Sequence, residues 1–317
     1  MKNIAHKFAT EKGFVSTKIQ YLMDEEIFPD EEFEYPVLKD LYYQSKQYHK
    51  SQRGVIRISK YTFSENADIK RKCLKKNNLL PETVSYFYDD GLLSEKKESS
   101  ETEGTKKKIW YVNASAEEVF QAWGSDSRSQ EASMIREMPL LRKASLFLES
   151  NIQPSSCFQN QNEVWMPSPI LFEGVPLWLS NLDGKTKFIT WDQKINIVSM
   201  MAPYGGEGAY TIGQLLNLFL TLFSAFGGII KRGKKDKADY TELHTNSWGC
   251  GNFRNNIELI YLAQLYVADV LGIDRIIFHS IDIRLMDSAI KKYHEIPDNI
   301  SFSKALNHFF RLGFKWQ

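Results

Sequence analysis

The sequence predicts an α/β fold with a three-layer, mostly parallel sheet, and three observations carry that prediction. From Ile109 onward, apolar strand-like runs alternate with amphipathic helical stretches. Each helical stretch separates two strand candidates, which is the spacing a parallel crossover requires. Composition is the third: 43% apolar and 25% charged residues in a 317-residue chain give a globular balance, with length enough for about two domains or one domain with an extension.

Taken in order, residues 1–93 read as a mixed, mostly helical accessory module. Residues 33–43 place apolar groups at helical intervals, and Gly54-Val55-Ile56-Arg57-Ile58-Ser59 is a short alternating strand. Residues 94–108 hold no apolar side chain and mix both charges, so burial cannot offset the entropy of ordering them and they read as a charged flexible linker. Residues 109–317 form the main domain. Its strands are expected at 109–113, 170–172, 194–201, 240–245 and 275–281, and its helices near 129–149, 211–230, 256–272 and 284–294. Residues 212–230 are long and apolar enough to span a membrane, with Lys231 and Arg232 following. Gln214 and Asn217 lie inside that run and it interrupts the strand–helix alternation, so it reads as a buried core helix.

The charge balance does not argue for a nucleic-acid or membrane partner. With 40 basic against 39 acidic side chains there is no net field for nucleic acid or an anionic membrane, and any anion site must be local. Cys73, Cys157 and Cys250 are too few and too scattered for a disulfide framework or a zinc site, which points to a reducing, cytoplasmic or otherwise intracellular setting. The first residues lack the apolar core of a secretory signal. Gly205-Gly206-Glu207-Gly208-Ala209 precedes a helix as phosphate loops do, but it has neither the P-loop ending nor a dinucleotide spacing. No cofactor or metal is therefore expected.

The most informative segment runs from His244 through Asn246-Ser247-Trp248-Gly249-Cys250-Gly251-Asn252-Phe253 to Asn256. It sets small residues between an apolar strand and an amphipathic helix, where an α/β fold binds phosphate. Gly249 and Gly251 can take positive φ and admit a ligand to the main chain, beside the unpaired N–H groups of the following helix. Phe253 is available to pack on a ribose or adenine face.

These residues, with three more segments in the same order, resemble the macrodomain-type poly(ADP-ribose) glycohydrolases, in particular their microbial branch. The family carries Gly-Ala-Trp-Gly-Cys-Gly-Val-Phe between strand and helix, where this chain has residues 246–253. Pro167-Ser168-Pro169-Ile170-Leu171-Phe172-Glu173 is similar to its proline-bearing lead into a short strand. Ile195 to Pro203 is similar to its strand ending in Ala-Pro, here Ala202-Pro203, with Tyr204 in place of the usual Asn. In the fourth segment the family has a Gly-Gly-Gly loop and then Gln-Glu-Glu, whose second Glu is the catalytic acid. Here Ala114-Ser115-Ala116 and Gln130-Glu131 align, the glycines become Phe120-Gln121-Ala122, and the second Glu becomes Ala132.

The resemblance implies a macrodomain-like domain over residues 109–317 that takes ADP-ribose, free or on ADP-ribosylated protein. The implied ligand-binding residues are Ala114, Gln130, Ala202, Pro203, Asn246, Ser247, Trp248, Gly249, Cys250, Gly251, Asn252 and Phe253. Hydrolysis at the anomeric carbon needs a carboxyl to protonate the leaving group or activate water, and alanine supplies neither. Glu131 and Asp126 are the nearest substitutes, and His279 with Asp282 is a further pair at the end of the last strand. Two outcomes stay open at this point: a divergent ADP-ribosyl hydrolase, or a non-catalytic ADP-ribose reader or interaction protein with a degenerate pocket. A secreted bacterial effector acting in a host cell is one setting that the architecture fits.

Overall fold

The computed structural model describes residues 9–24, 36–63, 73–84, 105–123, 129–151, 156–159, 165–182, 185–189, 193–204, 206–279 and 281–317. In chain order the elements are β1 (Ala9–Lys18), α1 (Ile19–Asp24), α2 (Pro36–Tyr48), β2 (Val55–Phe63), β3 (Cys73–Lys75), β4 (Glu82–Val84) and β5 (Lys107–Ser115). There follow α3 (Gln130–Glu137), α4 (Leu140–Glu149), β6 (Cys157–Gln159), β7 (Trp165–Pro167), β8 (Ile170–Pro176), β9 (Leu179–Leu182), β10 (Lys185–Phe188) and β11 (Lys194–Met201). The last third holds α5 (Ile212–Lys235), β12 (Tyr240–Thr245), α6 (Ile257–Leu271), β13 (Arg275–His279), α7 (Ile283–Glu295), β14 (Asn299–Ser301) and α8 (Phe302–Arg311).

Eight strands form the central sheet in the order β1-β2-β8-β11-β5-β12-β13-β4. Strands β11, β5, β12, β13 and β4 pair in parallel, β2 shares their direction, and only β8 and β1 run against it. One core lies between the sheet and α5, α6, α7 and α8. The other lies between the opposite face and α1, α3 and α4, which completes three layers.

The N-terminal region differs from the mostly helical module expected of residues 1–93. Its strands β1, β2 and β4 belong to the central sheet, and Ala9, Tyr61 and Phe63 share a core with α5. The apolar face of α5 extends past β11 and β8, and strands from the N-terminal region cover it. Residues 94–104, most of the expected linker, lie outside the described residues, and the linker's last two residues begin β5. The single helix expected over 129–149 is two, broken at Met138 and Pro139, because proline has no N–H to continue the ladder.

Helix α5 forms for local reasons and stays for tertiary ones. Thr211 and Gln214 make a capping box, and Arg232, Lys234 and Lys235 in the last turn complement the helix dipole. Nearly every residue from Leu218 to Gly233 is buried. Gly228 is required by close approach, since a Cβ there would lie 2.8 Å from the Tyr61 ring. Among the described residues, α5 is the one helix long and apolar enough to cross a membrane, and in this fold it packs between the sheet and α6.

The far end of α5 carries a charge into the core. Arg232 is fully buried, and its Nε donates to Glu173 Oε2 on β8 at 2.7 Å, while Lys108 on β5 contacts both Glu173 and Asp236. Removing Arg232 leaves the buried Glu173 carboxylate with Lys108 but without its guanidinium partner, and a buried charge that loses a partner is costly. Arg232→Met is therefore expected to destabilise the fold by about 3 kcal/mol in urea unfolding, and the double variant with Glu173→Gln should recover much of that loss.

Candidate functional site

Chain connectivity fixes where a ligand can enter. From β5 the chain passes to α3 and α4 on one face, reaches β11 beside β5, and returns through α5 on the other face to β12 on the far side of β5. The connections diverge at β5. The crevice outside the carboxyl ends of β11, β5 and β12 is thus the switch point at which open α/β sheets bind ligands.

At the end of β5, the Gln130 side chain extends the strand's own ladder. Its Oε1 accepts from Ala114 N at 2.8 Å and its Nε2 donates to the Val112 carbonyl at 3.2 Å. Glu131, the next residue, is buried, and its Oε1 accepts from Phe120 N at 2.9 Å and from Asn113 Nδ2 at 3.1 Å. Burial raises the Glu131 pKa above the usual carboxylate range, against the opposing pull of those two donors. Ala132 follows in the first turn of α3, 1% exposed, its N–H donated to the Ser129 cap. Asp126 lies outside the described residues.

Phe120, in place of the first family glycine, keeps a glycine-like backbone with φ 62°. A bulky residue in the left-handed region costs about 1–3 kcal/mol. Two contacts hold it there: its N–H on Glu131 and its buried ring edge-on to Phe172 at 5.2 Å.

The opposite wall begins at Asn246, whose main-chain carbonyl accepts from Trp248 N and from Gln264 Nε2. Trp248 is buried, with Nε1 donating to the Met200 carbonyl at 3.0 Å, so its indole is a structural anchor between β11 and the loop. Ser247 accepts Cys250 N through its carbonyl in the same turn. Gly249 has φ 72° and sits so close to Ala202 that a Cβ would lie 2.2 Å from the Ala202 methyl. Gly251, expected to share that freedom, has no positive φ, and open space surrounds the position of a Cβ. Asn252 is exposed beside it. Phe253 meets Tyr204 with ring centroids 5.6 Å apart, Tyr204 being the residue that replaces the family Asn.

One residue that the sequence reading passed over ties the walls together. Asn255 is fully buried, and its Nδ2 donates to the carbonyls of Pro203 at 2.7 Å and Gly249 at 3.0 Å, while its Oδ1 accepts from Tyr210 OH at 3.1 Å. Asn256 then caps α6 by accepting Leu259 N. An Asn-Asn pair ahead of an apolar helix is a capping signal, so half of this arrangement was open to reading. Trp316 lies against Gly206 and stacks on Tyr210 at 4.4 Å, which packs the glycine run at 206–208 against the C-terminal segment.

The cysteine and histidines near the loop are not arranged for nucleophilic chemistry. Burial pushes the Cys250 thiol well above its ordinary pKa, and its Sγ faces the Trp248 carbonyl. His244 and His279 bond each other at 2.8 Å, and His244 Nε2 meets Glu242 at 3.0 Å, which joins β12 to β13 below the crevice. Glu242 is pushed up by burial but held at about 2 by donors from His244 and Lys107. Asp282 caps α7 by accepting from Arg284 N and Leu285 N.

Two buried acceptors at the crevice floor have no hydrogen-bond partner among the described residues: Asn246 Oδ1 at the end of β12 and Asn113 Oδ1 on β5. The register that pairs His244 with Tyr111, continued by two residues, sets these asparagines side by side. Beyond the end of β11, a cavity of about 450 Å³ is lined in part by Ala202, Pro203 and Tyr204. The crevice thus offers hydrogen-bond acceptors on its floor and an apolar recess at its side.

No protein-family model matches the chain, and no curated protein sequence matches it. Solved structures do. A poly(ADP-ribose) glycohydrolase point mutant from Deinococcus radiodurans, in complex with ADP-ribose, is similar over 93% of this chain and 98% of its own, with 14% identity and a TM-score of 0.47. The poly(ADP-ribose) glycohydrolase of Thermomonospora curvata, bound to the inhibitor ADP-HPD, is similar over 81% of this chain and 99% of its own, with 11% identity and a TM-score of 0.45.

Proposed function

We propose that this chain is a macrodomain-like module that binds ADP-ribose, free or attached to protein, in the crevice beyond β11, β5 and β12. The observation that carries the reading is convergence. Segments far apart in sequence, singled out by their resemblance to one ADP-ribose family, meet at the switch point around two buried acceptors without partners among the described residues, Asn113 Oδ1 and Asn246 Oδ1. Unpaired carbonyl oxygens call for donors, and sugar hydroxyls are donors of the right reach. In this reading Trp248 and Gly249 hold the loop, while Gly251, Asn252 and Phe253 face the ligand.

Binding without turnover is the simpler outcome, since the family's acid position is the buried methyl of Ala132. One observation favours a divergent hydrolase as the second reading. Burial raises the Glu131 pKa, the direction a general acid needs near neutral pH.

ADP-ribose at a hundredfold its Kd is expected to add about 2.7 kcal/mol to the folded state, read as a rise in Tm. Gly251→Val should erase that response and leave the apo Tm in place, because open space surrounds its Cβ and its backbone needs no positive φ. No heat of binding and no thermal shift at millimolar ADP-ribose would refute the assignment.

Glu131→Gln separates the two readings. A raised native pKa contributes stability that is present below the unfolded value and lost as pH rises through the native one. The variant should therefore melt higher than the parent at neutral pH, with the gap closing as the pH falls toward the ordinary carboxylate range. If Glu131 is the acid, turnover of ADP-ribosylated protein should fall by about 100-fold or more with binding kept. If the parent shows no turnover, the chain is a reader.

A further inference from the structure

We propose that Trp316 is a positioning residue for the ligand crevice, acting through Tyr210 on Asn255, the clamp between the two walls. The inference deepens the ADP-ribose reading and rests on it. Asn255 Nδ2 holds the carbonyls of Pro203 and Gly249, so it sets how the loop after β11 and the Trp248 loop stand to each other. Its Oδ1 takes the Tyr210 hydroxyl at 3.1 Å, and that hydroxyl in turn accepts from Asn256 N at 2.9 Å. Burial pushes the Tyr210 hydroxyl up to about 12, which keeps the proton that it donates. The orientation of Asn255 therefore depends on where the Tyr210 ring lies.

Trp316 fixes that ring. The two stack with centroids 4.4 Å and planes 14° apart. Around the stack, residues 314–317 run as a strap between the two loops. On one side Tyr210 N donates to the Phe314 carbonyl and Trp316 N to the Gly208 carbonyl. On the other, Gln317 N donates to the Arg254 carbonyl and Asn256 Nδ2 to the Lys315 carbonyl. The strap thus joins residues 208–210, which follow the loop after β11, to residues 254–256, which close the Trp248 loop.

Gly206 admits the indole. A Cβ there would lie 1.8 Å from Trp316 Cε2 and 2.1 Å from Nε1, and the three nearest atoms all belong to that ring. Gly206 has no positive φ, so its backbone accepts alanine and the strain of that substitution falls on the tryptophan. Trp316 Nε1 is buried and has no hydrogen-bond partner among the described residues, so stacking and the strap's main-chain bonds hold the indole. A phenyl ring would stack in the same place with no donor to leave unpaired.

ADP-ribose affinity is measured by calorimetry on the full-length protein, with Tm and amide exchange on the same preparations. Trp316→Ala should weaken binding about 10-fold, and Trp316→Phe should restore most of that loss. Gly206→Ala should weaken binding by a similar factor in the parent and add nothing to Trp316→Ala, where the indole is gone. The Cys250 and Asn255 amides, bonded to the Ser247 and Gly249 carbonyls, should exchange faster in Trp316→Ala. A residue that only added stability would lower Tm and leave Kd in place. Gly206→Ala and Trp316→Phe keep the test open if the Trp316→Ala protein fails to fold. Parent-like affinity in Trp316→Ala or Gly206→Ala, a phenylalanine variant as weak as the alanine one, or additive losses in the double variant would overturn the inference. A parent that binds no ADP-ribose would instead sink the crevice reading, and exchange alone would then decide the strap: faster in Trp316→Ala supports it, unchanged overturns it.

Discussion

Burial of α5 is the constraint on which the rest of the structure depends. Each of its fully buried Leu and Phe side chains contributes about 1.5–3 kcal/mol, and the helix carries them on nearly every side. A helix apolar on all sides needs cover on all sides. The sheet supplies one, with its edge strands β1 and β2 from the N-terminal region extending that cover, and α6 and α8 supply others. This explains why that region is sheet rather than an independent module. It also explains the site, because the connection through α5 carries the chain across β5 and opens the crevice there.

The crevice is rigid on one wall and strained on the other. Gly249 against Ala202, Trp248 on the Met200 carbonyl and Asn255 across both loops leave the wall after β12 little freedom. On the opposite wall Phe120 holds a left-handed backbone that glycine would adopt without strain. Its ring fills the space above Phe172, and its N–H satisfies Glu131. Burial and a charge-assisted hydrogen bond, each worth about 1–3 kcal/mol, are of the size needed to offset that strain. Strain that persists in this way is over-determined by its surroundings, and here the surroundings include the buried carboxyl of Glu131.

How much could be read in advance followed from which physics is local. The core strands β11 and β12 and the helices α5, α6 and α7 were legible within a residue or a few, because apolar period and caps lie within each segment. Strand β1 was not, since its alternation is weak and it becomes a strand by pairing with β2 and covering α5. The Trp248 loop was legible as a motif and misleading in detail. Gly249 carries the positive φ, and Gly251 does not. Asn255 was invisible as a clamp because its three partners come from residues 203, 210 and 249, which no spacing in sequence brings together.

The chemistry turns on what the buried carboxyl of Glu131 can do. In an Asn113–Glu131–Phe120 network the ionised form of Glu131 receives two donors, and burial nevertheless outweighs them. A group in that balance is poised between two duties. As a carboxylate it fastens the Phe120 loop; as an acid it has a proton to give, but giving it up restores the bonds that fasten the loop. Proton transfer and loop order therefore pull in the same direction, which suits a single delivery into a bound ligand. They do not suit free exchange with water, since Glu131 is buried. For hydrolysis, then, the ligand itself must reach Glu131 past the Phe120 main chain. Binding at the Asn246 wall asks for no such rearrangement.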